Sequence, residues 1–108
     1  MADLQWDQSF AFEQSGEDRE LLLELLGLLK SSSLSDLEKI KVGLADGDGD
    51  AVADAAHSIK GAAASLGVEG LRGVAYDIEK KGRAGLQADI EVGILEDLVG
   101  QLDTLTVT

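Results

Sequence analysis

One run of side chains, spaced by three and four residues, constrains the fold of this chain more than any other feature. It consists of Leu22, Leu26, Leu29, Ser33, Leu37, Ile40 and Leu44. This spacing places side chains on one face of an α-helix, and the chain has no proline to interrupt one. We predict a single helix from about Glu17 to about Ala45, roughly 43 Å long. Because serines lower helix propensity, the alternative is two helices with a break at 31–35.

A short helix is predicted before the long one. Asp7 is a residue type that caps helix N-termini, and Phe10 and Ala11 would then face inward. Trp6 precedes the cap, so we expect it to pack across the first turn. This helix should end near residues 15–16.

Three more amphipathic segments follow the long helix. One helix is predicted from about Asp50 to Leu66, the next ends at the cationic stretch 80–85, and the last runs from about Ala88 to Leu105. The residues predicted to face the core are Val52, Ala55, Ala56, Ile59, Ala63, Leu66, Leu71, Val74, Ala75, Ile78, Ile94, Leu95, Leu98, Leu102 and Leu105. With short turns between them, these helices predict an all-α fold, an antiparallel four-helix bundle with a short additional N-terminal helix. Residues 1–108 would form a single domain.

The charge of the chain limits its partners. It carries 21 Asp and Glu against 9 Lys and Arg, a formal net charge of −12. That charge repels nucleic acids and anionic membrane surfaces, so we expect neither as a partner. The chain has no cysteine, and no segment approaches the roughly 20 apolar residues of a membrane span. We therefore expect a cytoplasmic protein.

The acidic turn at 46–50 allows a second interpretation, as a calcium-binding loop. An EF-hand requires glycine after its third acidic residue and glutamate six residues later. Ala51 and His57 stand at those positions. We therefore predict an ordinary turn in which Asp48 or Asp50 caps the next helix.

The only histidine of the chain lies in the sequence HSIKGAAASLG, residues 57–67. The helical period places His57 nearly opposite the core face of its helix. No second histidine or cysteine stands at metal-ligand spacing, so we expect no metal site. An exposed imidazole is a fair nucleophile near neutral pH. The alternative is a surface histidine without a function.

The neighbours of His57 are a cation and several small residues. Lys60 lies on the same side of the helix and could reach the oxygens of a phosphoryl group on the imidazole. Ala53, Gly61 and Ala64 would leave room for a large partner to approach. A glycine in mid-helix costs about 1 kcal/mol relative to alanine, so Gly61 suggests a need for access. Tight packing of helices at Gly61 and an ordinary solvated Lys60 are the alternatives.

A carboxylate is predicted beside the imidazole. A helical hairpin that turns near Val68 brings Glu79 level with His57, and Tyr76 level with Lys60. If Glu79 accepts a hydrogen bond from one ring nitrogen, the other nitrogen keeps its lone pair for attack. A solvated Glu79 is the alternative.

These residues resemble the histidine phosphotransfer (HPt) family, whose hallmark is a histidine, two residues, Lys-Gly and a later glycine on a four-helix bundle. The matching positions are His57, Lys60, Gly61 and Gly67. The resemblance extends over nearly the whole chain. It includes the entry SGEDRELLLELL into the long helix and the stretch IEKKGRAG.

The resemblance implies a carrier that takes a phosphoryl group from the aspartate of one receiver domain onto His57 and passes it to another. Lys60 would hold the phosphoryl oxygens, and Glu79 matches the carboxylate that orients the histidine in chemotaxis kinases. Docking and access would be served by Ala53, Gly61, Ala64 and Gly67. The partners would be receiver domains of response regulators and a hybrid sensor kinase. The carrier would need no intrinsic cofactor, because the acidic pocket of the receiver supplies Mg²⁺.

Two other functions are kept as alternatives. A helical adaptor could bind receiver domains or kinases without carrying phosphate. An enzyme with His57 as general base would need oxyanion donors or paired acids that the sequence does not show. We expect a freestanding, monomeric carrier without kinase activity of its own, with an excised piece of a hybrid kinase as the alternative.

Overall fold

The computed structural model describes residues 3–105, which form five α-helices. They are α1 (Gln8–Gln14), α2 (Arg19–Asp46), α3 (Gly49–Ser65), α4 (Glu69–Arg83) and α5 (Asp89–Gln101). A single 3₁₀ turn, Leu102–Thr104, follows α5. The helix predicted to reach Leu105 therefore ends four residues earlier, at Gln101.

Helix α2 is continuous through its serines, so the two-helix alternative is wrong. The Ser32 hydroxyl donates to the carbonyl of Leu29 at 3.2 Å, a bond made within the helix. Ser33 faces the core and is completely buried, as the spacing predicted. Its hydroxyl oxygen has no hydrogen-bond partner. The serines therefore lower the stability of α2 locally without breaking it.

Helices α2 to α5 form a closed ring in which each packs against the next and α5 returns to α2. This arrangement confirms the predicted four-helix bundle with a short N-terminal helix. The tightest approach is between the start of α3 and the end of α4. A methyl group on Gly49 would lie 2.3 Å from the Gly82 carbonyl oxygen, so only glycine fits there.

The core consists of the aliphatic and alanine side chains that the helical period selected. All the predicted inward residues of α3 and α4 are buried. Phe10 and Ile94 were predicted to face inward but are 37% and 38% exposed. Ala11 carries the contact of α1 with the core, and Val92 and Val99 line the buried face of α5 with its leucines.

The N-terminal segment is held against the turn between α3 and α4. The indole Nε1 of Trp6 donates to the Leu66 carbonyl at 3.1 Å, and the backbone nitrogen of Asp7 donates to the Gly67 carbonyl at 2.9 Å. Trp6 therefore anchors the segment to another element instead of packing only across its own helix. Asp7 caps α1 as predicted, because its carboxylate accepts from the Phe10 nitrogen at 3.0 Å.

The acidic turn at 46–50 ends one helix and begins another. Gly47 has a φ of 69°, the left-handed conformation that closes α2. Asp48 caps α3, since its carboxylate accepts from the Ala51 nitrogen at 3.1 Å. Of the two capping residues proposed, the structure selects Asp48.

Replacing Ser33 by alanine is expected to stabilise the protein by about 1 kcal/mol, because it removes a buried hydroxyl without a partner and improves helix propensity. Ser32→Ala is the matched control, since that serine is exposed on the same helix. Urea unfolding followed by circular dichroism measures both. A Ser33→Ala variant no more stable than Ser32→Ala would contradict this account of the buried hydroxyl.

Candidate functional site

His57 projects from α3 into solvent, with its side chain 64% exposed. One edge of its ring is held by α4, because Nδ1 lies 2.9 Å from Oε2 of Glu79. The contact predicted from the register of the hairpin is therefore confirmed. The opposite edge of the ring carries Nε2. A ring held at one nitrogen and open at the other presents a single nitrogen to a partner.

Lys60 contacts the other oxygen of the same carboxylate. Its Nζ lies 2.7 Å from Oε1 of Glu79. Both side chains are largely covered, with 26% of the Lys60 side chain and 13% of the Glu79 side chain exposed. Glu79 is therefore shared between the imidazole and the ammonium, a link between Lys60 and Glu79 that the sequence did not indicate.

The charge of Glu79 fixes the tautomer of His57. The hydrogen bond from Lys60 is the largest of the effects that lower the pKa of this carboxyl below its ordinary value of 4.5, and the bond with His57 adds to it, against the opposing effect of burial. An ionised carboxylate only accepts hydrogen bonds, so Nδ1 must donate. In the neutral ring, the lone pair then resides on Nε2.

Gly61 opens the surface one turn after His57. Nothing outside its own helix lies within 4 Å of the position that a side chain would take. Tight helix packing, the alternative reason for this glycine, is therefore excluded. Ala64, a further turn along, is partly buried. Small residues leave this side of the imidazole open to a large partner.

Two of the residues predicted to serve docking are not on the accessible surface. Ala53 is completely buried, because it is rotated about 40° from His57 toward α4, whose backbone comes close at Gly82. Gly67 is buried too. It has a φ of 69° and packs against Asp7 and Phe10, so it shapes the turn between α3 and α4.

Val68, near which the helical hairpin was predicted to turn, is completely buried. It is the N-cap residue of α4 and pairs with Trp6 in an isolated bridge.

Helix α4 contributes two residues near His57 to which the sequence assigned no role. The ring of Tyr76 lies near two ammonium groups, with its centroid 5.2 Å from Nζ of Lys60 and 4.5 Å from Nζ of Lys80. The sequence carried a signal for the contact between Tyr76 and Lys80, since they are four residues apart and share a helix face.

Arg83, also on α4, reaches across to α3 and contacts Asp54 at 3.2 Å.

No group of His, Asp and Glu side chains within residues 3–105 has an arrangement that could hold a metal ion. Over the same residues, no helix is both long and apolar enough to cross a membrane. What the site offers chemically is one accessible ring nitrogen, a carboxylate behind the ring and a cation beside it.

The family model of the Hpt domain matches residues 24–105, from the first turns of α2 to the end of the described chain. The chain belongs to the Hpt domain family. Hpt proteins are phosphotransfer carriers that act with receiver domains and kinases in phosphorelays. The resemblance proposed from His57, Lys60, Gly61 and Gly67 is thereby confirmed at the level of the family.

The fold is shared with a solved structure, that of histidine-containing phosphotransfer protein B (HptB) from Pseudomonas aeruginosa PAO1. The two chains superpose with a TM-score of 0.83 over 93% of this chain and 89% of HptB, at 22% sequence identity. At that identity the similarity shows the fold alone. A search of curated protein sequences gave no match.

The Glu79 carboxyl of this Hpt domain is expected to titrate below 4.5, and Lys60→Met should raise its midpoint because it removes the largest cause of the shift. Depression of the pKa means that Glu79 contributes stability above about pH 4.5, which is lost as the pH falls through the folded-state value. Carboxyl chemical shifts measured by NMR report the midpoint directly.

Lys81→Met is the matched control, because Lys81 lowers the pKa of Glu91 in the same way on the other side of α4. This variant should raise the titration midpoint of the Glu91 carboxyl and leave that of Glu79 unchanged. A Glu79 midpoint unaffected by Lys60→Met would show that the ion pair does not exist in solution.

Proposed function

We propose that His57 is the phosphoryl carrier of this Hpt domain and moves the group between aspartates of receiver domains. The observation that carries the proposal is the imidazole itself, 64% exposed and held through Nδ1 by the Glu79 carboxylate. A ring fixed in this way directs Nε2 at whatever approaches. Receiver domains and a hybrid sensor kinase are the proposed partners.

The proposed transfer joins Nε2 to phosphorus. The Nε2 lone pair forms the P–N bond while the bond between phosphorus and the aspartyl oxygen breaks, and the aspartate leaves as a carboxylate. No proton has to be removed from Nε2. The ring gains positive charge because Nδ1 keeps its proton, and Glu79 lies where it stabilises that charge. The reverse transfer uses the same groups.

Lys60 is proposed to act on both sides of this step. Its ammonium has three donors, of which one is directed to Oε1 of Glu79. The other donors can face the oxygens of a phosphoryl group on Nε2. In the unloaded state the same ammonium lowers the pKa of the Glu79 carboxyl. Lys60 therefore holds the carboxylate that holds the ring.

The magnesium ion is proposed to come with the receiver domain, where it would neutralise charge on the transferring phosphoryl group. The chain is proposed to have no kinase activity of its own, since its sequence has no glycine-rich phosphate loop. It would act as a monomer in the cytoplasm. Whether it is freestanding or one domain of a hybrid kinase does not alter the chemistry at His57.

The test is to mix the purified protein with a receiver domain phosphorylated on aspartate, in the presence of Mg²⁺. Wild type should acquire a label that is labile in acid and stable in alkali, as expected for phosphohistidine, and His57→Gln should not. Circular dichroism establishes that the variant keeps its helix content. Label that persists in His57→Gln would refute the role of His57, and a protein that binds receivers without label would be an adaptor.

Gly61→Ala should stabilise the fold by about 1 kcal/mol, because it removes a glycine from the middle of a helix without creating a clash. Phosphoryl transfer should nevertheless become slower, since the added methyl group narrows the approach to Nε2. Gly93→Ala is the matched control, because Gly93 also has nothing within 4 Å but lies on α5. Both variants should be stabilised alike, and transfer by Gly61→Ala at the wild-type rate would show that the glycine does not serve access.

A further inference from the structure

The partner of His57 approaches against an electrostatic barrier. The chain has a formal net charge of −12, and a phosphorylated aspartate is itself an anion close to the dianionic state. Charges of the same sign slow association unless the contact region carries the opposite sign. Positive charge near His57 is therefore the feature that decides where an aspartyl phosphate can dock.

Most cations on the two helices that form the site are already neutralised. Lys60 is hydrogen-bonded to Glu79, Arg72 to Glu69 and Lys81 to Glu91, each at 2.7 Å. Arg83 is hydrogen-bonded to Asp54 at 3.2 Å. These pairs contribute little net charge to an approaching partner.

Lys80 differs from these cations. Its nearest carboxylate oxygen belongs to Asp77 and lies 3.7 Å away, beyond hydrogen-bond distance, and 57% of its side chain is exposed. Its place on the surface is set by an aromatic ring, since its ammonium lies 4.5 Å from the centroid of Tyr76. A cation that is loosely paired and accessible keeps its charge available to a partner.

Tyr76 connects Lys80 to the site. Its ring also lies 5.2 Å from the ammonium of Lys60, which contacts the carboxylate that holds His57. The tyrosine is 43% exposed, so its ring forms part of the surface beside Lys60. The two lysines are thus arranged about one aromatic ring on the α4 side of His57.

We propose that Tyr76 and Lys80 form the docking element on α4 for the anionic rim of a phosphorylated receiver domain, with Tyr76 positioning Lys80. The proposal rests on the phosphotransfer role of His57. Lys80 attracts the partner and orients it over the ring, and it does not take part in the transfer step. Its effect therefore lies in association, which salt screens, and not in the rate of transfer within the complex.

The experiment measures phosphoryl transfer from a phosphorylated receiver domain at several protein concentrations and salt concentrations. Lys80→Gln should lower the second-order rate constant about threefold at low ionic strength and reduce its salt dependence, with little effect at high salt. The first-order rate at saturating protein should stay the same. Asp77→Asn should have the opposite effect and speed association, because it removes the carboxylate nearest Lys80.

Control variants distinguish the effect of the position of Lys80 from the effect of the net charge of the protein. Lys41→Gln makes the same change in net charge, but Lys41 pairs with Glu96 of α5, on the side of the bundle away from α3. It should leave the transfer kinetics close to wild type. Tyr76→Leu should reproduce the effect of Lys80→Gln, because the ring that positions the ammonium is lost. Tyr76→Phe keeps the ring and should therefore associate at the wild-type rate.

The outcomes distinguish this proposal from the function on which it rests. If wild type acquires no label on His57, the phosphotransfer role fails. If wild type transfers normally and Lys80→Gln matches Lys41→Gln at every salt concentration, the docking element is refuted. A fall in the first-order rate of Lys80→Gln would also refute it, because the lysine would then act on the transfer itself.

Discussion

The sharing of one carboxylate between an imidazole and an ammonium is the interaction on which this site depends. Glu79 accepts from Nδ1 of His57 at 2.9 Å and from Nζ of Lys60 at 2.7 Å. The two contacts act in the same direction, because Lys60 lowers the pKa of the Glu79 carboxyl and an ionised carboxylate requires the ring to donate from Nδ1. The ring nitrogen that keeps its lone pair is thus selected by a residue on the neighbouring helix and not by the histidine's own surroundings in sequence.

That arrangement requires α3 and α4 to lie unusually close together. Glycines at 49 and 82 let the backbones of α3 and α4 come into contact. Alanines at 55, 56 and 63 line the buried face of α3. Larger side chains there would move α4 outward and draw Glu79 away from the ring. The same closeness buries Ala53, which has the right spacing for the surface but faces the helix that approaches it. Small residues near His57 therefore lie in two different surroundings, packed between helices at Ala53 and open to solvent at Gly61.

Three residues whose exposure was predicted wrongly share one physical cause. Phe10, Ile94 and Ala53 were assigned from the angular position of each residue on its own helix, which says nothing about how far the neighbouring helix extends. Phe10 and Ile94 lie at the edge of buried faces and remain more than one third exposed. Glu79 was placed correctly beside His57 because a hairpin with a short turn fixes the register between two helices.

The sequence by itself determined the five helices, the four-helix bundle, the exposure of His57 and the family to which its motif belongs. Each of these depends on periodicity, capping or local spacing, which are properties of neighbouring residues. Only the tertiary structure decided that Lys60 binds Glu79, that Tyr76 lies near two lysine ammonium groups and that Lys80 is loosely paired. Those facts depend on distances between helices and on side-chain conformations, and packing sets both.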